Sequence, residues 1–268
     1  MAHSFVLVKL GGSLITDKKR VGVARHAAIR RLAGEIAALA KSPRAPRLLL
    51  GHGSGSFGHA AAARGGLFPG IDARKKLDAV AETRHRASDL NRLVVEALLK
   101  AGARPISFAP SSFLHAEDGR VVGRFLEPVF SALDRGLLPV VYGDVVLDST
   151  RGAIVVSTEA LFLIVAQEAA RQSRAISRAV WLGEPDGVRD GGGGTIGRMT
   201  GTKAGRTARR VSGASGPDVT GGIALRLQAV SVLAKAGIAS ALVDGRKPGA
   251  LAHAIAGREA GGTRVDSR

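Results

Sequence analysis

The chain contains no cysteine, which removes disulfides and thiolate metal sites from consideration. Aromatic residues make up only 4% of it, with a single Trp and a single Tyr. Proteins that hold single-stranded nucleic acid interleave basic residues with aromatics that stack on bases, and that pattern is missing. No window approaches the roughly 18 apolar residues of a membrane-spanning helix. The apolar stretch near the start is too short for a signal-peptide core and is broken at once by glycine. Acidic residues are scarce as well: 22 Asp and Glu stand against 39 Lys and Arg, a formal net charge of +17. The basic residues are spread along the chain instead of gathered, which with abundant Ala, Gly and Arg reads as a proteome-wide compositional bias; a positive field that draws in an acidic substrate explains the sign equally well. The expectation is a soluble cytoplasmic protein with neither nucleic acid nor membrane as a partner.

What is present is apolar and periodic. With 45% hydrophobic residues in 268, the chain can bury a substantial core in one large domain. Residues 5–10 read as a buried strand closed by Gly11-Gly12-Ser13, and 47–50 as a second. Ile29, Leu32, Ile36 and Leu39 recur at helical spacing within 25–41. Helices are also expected over 72–101, 125–135, 158–171, 222–236 and 248–256. Further strands are expected at 105–109, 138–142, 175–182 and 238–243, with a hairpin formed by 145–147 and 153–156. Residues 116–119 make a hairpin-type turn. Residues 191–217, rich in Gly, Thr, Lys and Arg, read as a mobile surface segment with little to bury. The tail after Gly257 reads as frayed. This alternation predicts an α/β fold, a three-layer α/β/α sandwich with a mostly parallel central sheet. Ligands then bind beyond the carboxyl ends of the strands.

Two glycine-rich turns stand at such ends. His52-Gly-Ser-Gly-Ser-Phe-Gly-His59 follows the second strand and runs into a helix-favouring stretch. A strand opening through glycines into a helix offers backbone N–H groups and a positive helix end to an anion. The two flanking histidines add polar or charged contacts near neutral pH. In the first turn, Lys9 lies in an apolar strand just before Gly11 and Gly12, and Lys18 follows nine residues later. Two lysines about a Gly-Gly-Ser turn suit a polyphosphate, because phosphoryl transfer is mostly positioning and charge neutralisation. Neither a Walker loop nor a Rossmann fingerprint is present.

Four motifs occur in order: KLGGSLITDK, HGSGSFGH, PVVYGDVVLD (139–148) and DVTGGIALR (218–226). Together, over about residues 5–249, they resemble the amino-acid kinase superfamily and, within it, the isopentenyl phosphate kinases. The resemblance implies a single domain, with an acceptor-binding lobe over about 1–172 and a nucleotide-binding lobe over about 173–268. It implies ATP and Mg²⁺ as cofactors, no metal-ligating residue, and a homodimer. Lys9 would meet the transferring phosphoryl group, and Gly11, Gly12 and Ser13 would give N–H groups to the ATP phosphates. Lys18 would stabilise transition-state charge. Ser54 and Gly55 would line the junction between ATP and acceptor, His59 would hold the acceptor phosphate, Gly143 would leave room beside it, and Asp144 would orient the lysines. Asp186 and Gly187 would form the adenosine-side turn, with Gly222 and Arg226 at the outer phosphates. Arg226 stands where the family has lysine, and Gly183-Glu184-Pro185 replaces a Thr/Asp-rich run. The implied reaction is phosphorylation of a small phosphate monoester, isopentenyl phosphate first. A kinase of a phosphonate such as fosfomycin and a non-catalytic ligand-binding protein are the alternatives.

Overall fold

The computed structural model describes residues 4–42, 46–67, 70–184, 186–214, 222–258 and 260–267. In chain order the first elements are β1 (Phe5–Leu10), α1 (Gly12–Ile15), α2 (His26–Lys41), β2 (Arg47–His52), α3 (Gly55–Arg64) and α4 (Leu77–Lys100). Next come β3 (Pro105–Phe108), a 3-10 turn at Pro110–Ser112, β4 (Leu114–Glu117), β5 (Arg120–Arg124) and α5 (Glu127–Asp134). β6 (Leu138–Tyr142), β7 (Asp144–Asp148), β8 (Gly152–Val156) and α6 (Thr158–Arg171) complete the first half. The second half holds β9 (Ile176–Gly183), β10 (Arg198–Thr200), α7 (Gly201–Ala214), α8 (Gly222–Lys235), β11 (Ser240–Asp244), α9 (Ala250–Ile255) and β12 (Thr263–Asp266).

Eight strands form one sheet in the order β10-β12-β11-β9-β1-β2-β6-β3, and β5-β4-β7-β8 form a smaller one. In the large sheet only β11 and β12 run antiparallel. A mostly parallel sheet is covered on both faces, so its central strands read as unbroken apolar runs. β1 is such a strand, with all six residues buried. Its side chains alternate between two cores: Phe5 and Leu7 pack with α5, α6 and α8, while Val6, Val8 and Leu10 pack with α2, α4 and α9. That is the expected three-layer sandwich. The halves of the chain join where β9 pairs with β1. There the only Trp, Trp181 of β9, lies fully buried with its ring 5.4 Å from Phe162 of α6.

Two regions differ from the sequence reading. Much of 191–217 is ordered: Met199 is buried in β10, and Ala204 and Ala208 of α7 are buried against α8. The segment has few large apolar residues, but small ones suffice when two helices approach closely. A Cβ on Gly201 would lie 2.5 Å from Cβ of Ala234, and one on Gly205 2.8 Å from Oγ of Ser231. Residues 215–217 lie outside the described residues. The tail after Gly257 is also no frayed end, since β12 inserts between β11 and β10 with Val265 fully buried. Smaller shifts concern helix starts. α3 begins at Gly55, which places His59 a full turn inside it, and α4 begins at Leu77 instead of residue 72.

Close packing of α7 on α8 makes Gly201→Val a sharp probe. Overpacking of this kind costs about 1–3 kcal/mol. The variant is expected to melt several degrees lower and to be cleaved by protease within 198–214 faster than the native protein; calorimetry and limited proteolysis check this.

Candidate active site

The carboxyl ends of β1 and β2 open into turns that interlock. Gly53 N–H donates to Leu10 O at 3.1 Å. Thr16 Oγ1 donates to Gly12 O at 2.8 Å and accepts from Ser56 N–H at 3.0 Å, so one hydroxyl ties the two turns. A Cβ on Gly12 would fall 2.7 Å from Cα of Gly55, and Gly55 itself has φ of 49°. Backbone therefore meets backbone where side chains would hold the turns apart.

Above them opens a cavity of about 700 Å³. Lys9, Gly12, Ser13, Lys18, Ser54, Gly55, His59, Gly143, Gly187, Gly222 and Arg226 all line it. Sites assigned from distant motifs thus converge on one space. Lys18 is exposed at the mouth. Val21, Ala60, Ala63 and Val155 give the same cavity an apolar wall beside His59.

Its charged end is built on Lys9, only 6% exposed. Strand alternation turns Lys9 toward the face of α6 and α8, where it donates to Glu159 Oε1, itself 6% exposed. Glu159 stands in the first turn of α6, which Ser157 caps by accepting from Ala160 N–H at 3.2 Å. Burial raises the Glu159 carboxyl, but the charges of Lys9 and Arg226 outweigh it and hold the group below its ordinary value. Burial pushes the Lys9 ammonium down, with Glu159 opposing. Arg226 reaches this pair from α8 across Gly183, where a Cβ would lie 2.7 Å from its Nη1. Its Nε is buried without a hydrogen-bond partner among the described residues. The two departures in the sequence therefore meet in space, with the Arg226 guanidinium lying against Gly183.

Several expected roles do not match the geometry. Asp144 orients neither lysine. Its carboxylate is fully buried outside the cavity, 3.1 Å from Arg84 Nε, and accepts from Val145 N–H at 2.9 Å. Burial raises it to about 7, with Arg84 opposing. Glu159 occupies the position expected of it. The sequence signal for Glu159 is a lone acid after Ser157-Thr158, at the start of an apolar helical run. Gly11 does not offer its N–H to a ligand, because it donates to Leu182 O at 2.8 Å. Asp186 is held by Lys247 Nζ at 2.7 Å and lies off the cavity lining, although Gly187 beside it lines the cavity. His52 is a core residue, fully buried and stacked on Tyr142 at 5.6 Å. Its Nε2 is 3.2 Å from Asn91 Oδ1, and burial lowers its pKa, so it stays neutral. Residues 218–221 of the last motif lie outside the described residues.

A doubly covered, mostly parallel sheet with glycine turns, a buried lysine and a partly buried arginine at its carboxyl edge defines a phosphate-handling α/β domain. The chain belongs to the amino acid kinase family, whose model matches residues 4–243. It is 32% identical to the isopentenyl phosphate kinase of Methanothermobacter thermautotrophicus, over 98% of this chain and 99% of that protein. It is 30% identical to the isopentenyl phosphate kinase of Haloferax volcanii, over 92% and 98% respectively. Among solved structures, one described as isopentenyl phosphate kinase superposes with a TM-score of 0.77 at 29% identity, covering 97% of this chain and 99% of the other.

Two substitutions separate the buried carboxylates. Glu159→Gln strips Lys9 of its counter-charge and is expected to lower turnover by about 100-fold or more, whereas Asp144→Asn should cost far less; steady-state kinetics decide it. Asp144 also sets a pH signature. Its folded pKa of about 7 lies above the ordinary carboxyl value, so the folded state binds the extra proton and stability falls as pH rises toward 7. Melting temperatures between pH 5 and 8 should decline more steeply in the native protein than in Asp144→Asn.

Proposed function

We propose that this protein transfers the terminal phosphoryl group of ATP to isopentenyl phosphate, giving isopentenyl diphosphate and ADP. The observation that carries the reading is one cavity lined both by cations, Lys9 with Arg226, and by apolar side chains, Val21, Ala60, Ala63 and Val155, with His59 on the same lining. A short alkyl phosphate likewise joins a charged part to an apolar one.

The residues present fit the polyphosphate. Arg226 Nε is buried and unpartnered, and the Gly12–Gly55 contact forms a turn that a side chain would fill. Ser13 and Gly12 offer backbone to the phosphates, and Lys9 neutralises the group in transfer. Lys18 adds charge from the mouth. Gly187 and Gly222 border the nucleotide, with Asp186 shaping the turn through Lys247. His59, with Ser54 and Gly55 nearby, holds the acceptor phosphate, and Gly143 leaves it space. An acceptor oxygen bonds to the transferred phosphorus as the bond to the ADP oxygen breaks. A phosphate monoester is largely ionised near pH 7, its second pKa being about 6. No general base is therefore required.

Mg²⁺ would supply charge neutralisation between the phosphates. No cluster of three His, Cys, Asp or Glu that could hold a metal occurs among the described residues, and the cavity carboxylates Glu159 and Glu184 are already paired with Lys9 and Arg25. That donor set suits a hard cation carried on the nucleotide with its own waters. On this reading the protein works as a cytoplasmic homodimer; no described helix is long and apolar enough to cross a membrane.

His59→Asn keeps one donor but not a positive charge. It is expected to raise KM for isopentenyl phosphate at least about tenfold, with KM for ATP and the melting temperature nearly unchanged. Lys18→Ala should lower kcat by about 100-fold. Equal effects of His59→Asn on both Michaelis constants, with a large loss of stability, would remove it from the acceptor site.

A further inference from the structure

A second concavity lies on the sheet face opposite Lys9. Arg178 of β9 shares a face with Val180 and Leu182, toward α9, and its Nη1 donates to Ala254 O at 3.0 Å. On the same face Ala241 of β11 pairs with Arg264 of β12, and Arg264 with Arg198 of β10. Arg258, just past α9, lines the same space. Because the floor is made of small residues, Ala239, Ala241 and Ala254 with Val243 beyond them, a cavity of about 460 Å³ remains.

Four guanidinium groups thus line one hollow. Asp266 pairs with two, Arg198 at 2.6 Å and Arg264 at 3.3 Å. Arg178 and Arg258 have no ion-pair partner among the described residues. Burial, then the Arg264 charge, lower the Arg178 pKa, so like charges are crowded and only partly answered. The backbone accommodates this: a Cβ on Gly257 would lie 2.8 Å from Arg178 Nη2, and Gly257 has φ of 72°. Among the described residues the positive charge is only partly answered, which matches a multivalent anion; the apolar floor matches a hydrocarbon chain, and no described aromatic side chain lines the hollow for a base to stack on.

We propose that this hollow is a second ligand site for an amphiphilic diphosphate ester, with Arg178, Arg258 and Arg264 on the diphosphate and the chain along Ala239, Ala241 and Val243. Prenyl diphosphates have this chemistry, and choosing them as the probe class rests on the proposed function.

Calorimetric titration with geranyl diphosphate tests the site. The native protein is expected to bind one equivalent more than Arg178→Gln/Arg264→Gln, or to bind it at least about tenfold more tightly at that site. Arg258→Glu, an exposed change that leaves the core untouched, should weaken the same event. Turnover of isopentenyl phosphate at low product should stay within about twofold in all variants. Identical titrations of native protein and both variants would overturn the proposal. Inorganic pyrophosphate binding as tightly as geranyl diphosphate at this site would overturn the amphiphile assignment in favour of a plain anion site. Absence of turnover together with intact second-site binding would sink the proposed reaction and leave this site standing.

Discussion

A lysine at the end of the central strand of a covered sheet cannot stand alone. Removing an ammonium from water is costly unless a carboxylate and further hydrogen bonds meet it. Glu159 meets Lys9, and Arg226 then makes the cluster two cations to one anion. The surplus positive charge is structural before it is catalytic, because the sheet order that puts β1 between β9 and β2 also fixes where α6 and α8 deliver their charges. A phosphate chain entering the cavity completes a balance that the protein leaves open.

Two features keep that cluster in register with the turn after β2. Thr16 ties the turns after β1 and β2 together, and the absence of side chains at Gly12 and Gly55 lets them touch. At the end of β9, Gly183 lies against the Arg226 guanidinium. Arginine presents a planar fork where lysine presents a point charge, and here the fork lies against the backbone of that glycine.

The sheet was legible wherever burial demanded large apolar residues. β1, β6 and α6 follow directly from unbroken or helically spaced apolar side chains. α7 and β12 were not legible, because their burial depends on Gly201, Ala204, Gly205 and a lone Val265, residues whose packing value comes only from how near the neighbour stands. Lys9, Lys18 and His59, singled out by type and setting, do line one cavity. Asp144 and Glu159 could not be told apart, since both are acids after strands, and only the third dimension gives Arg84 to one and Lys9 to the other. Gly11 failed for a similar reason: sequence displays a free N–H, while the carbonyl that takes it belongs to β9.

The junction of β1 with β9 has an optical consequence. The chain's one indole sits on β9, packed against a ring from α6, so a residue of the second half reads the packing of the first. Neither half can part from the other without wetting Trp181. Its emission is therefore a single-channel report on the seam itself, in a protein whose other tryptophan signal is nil.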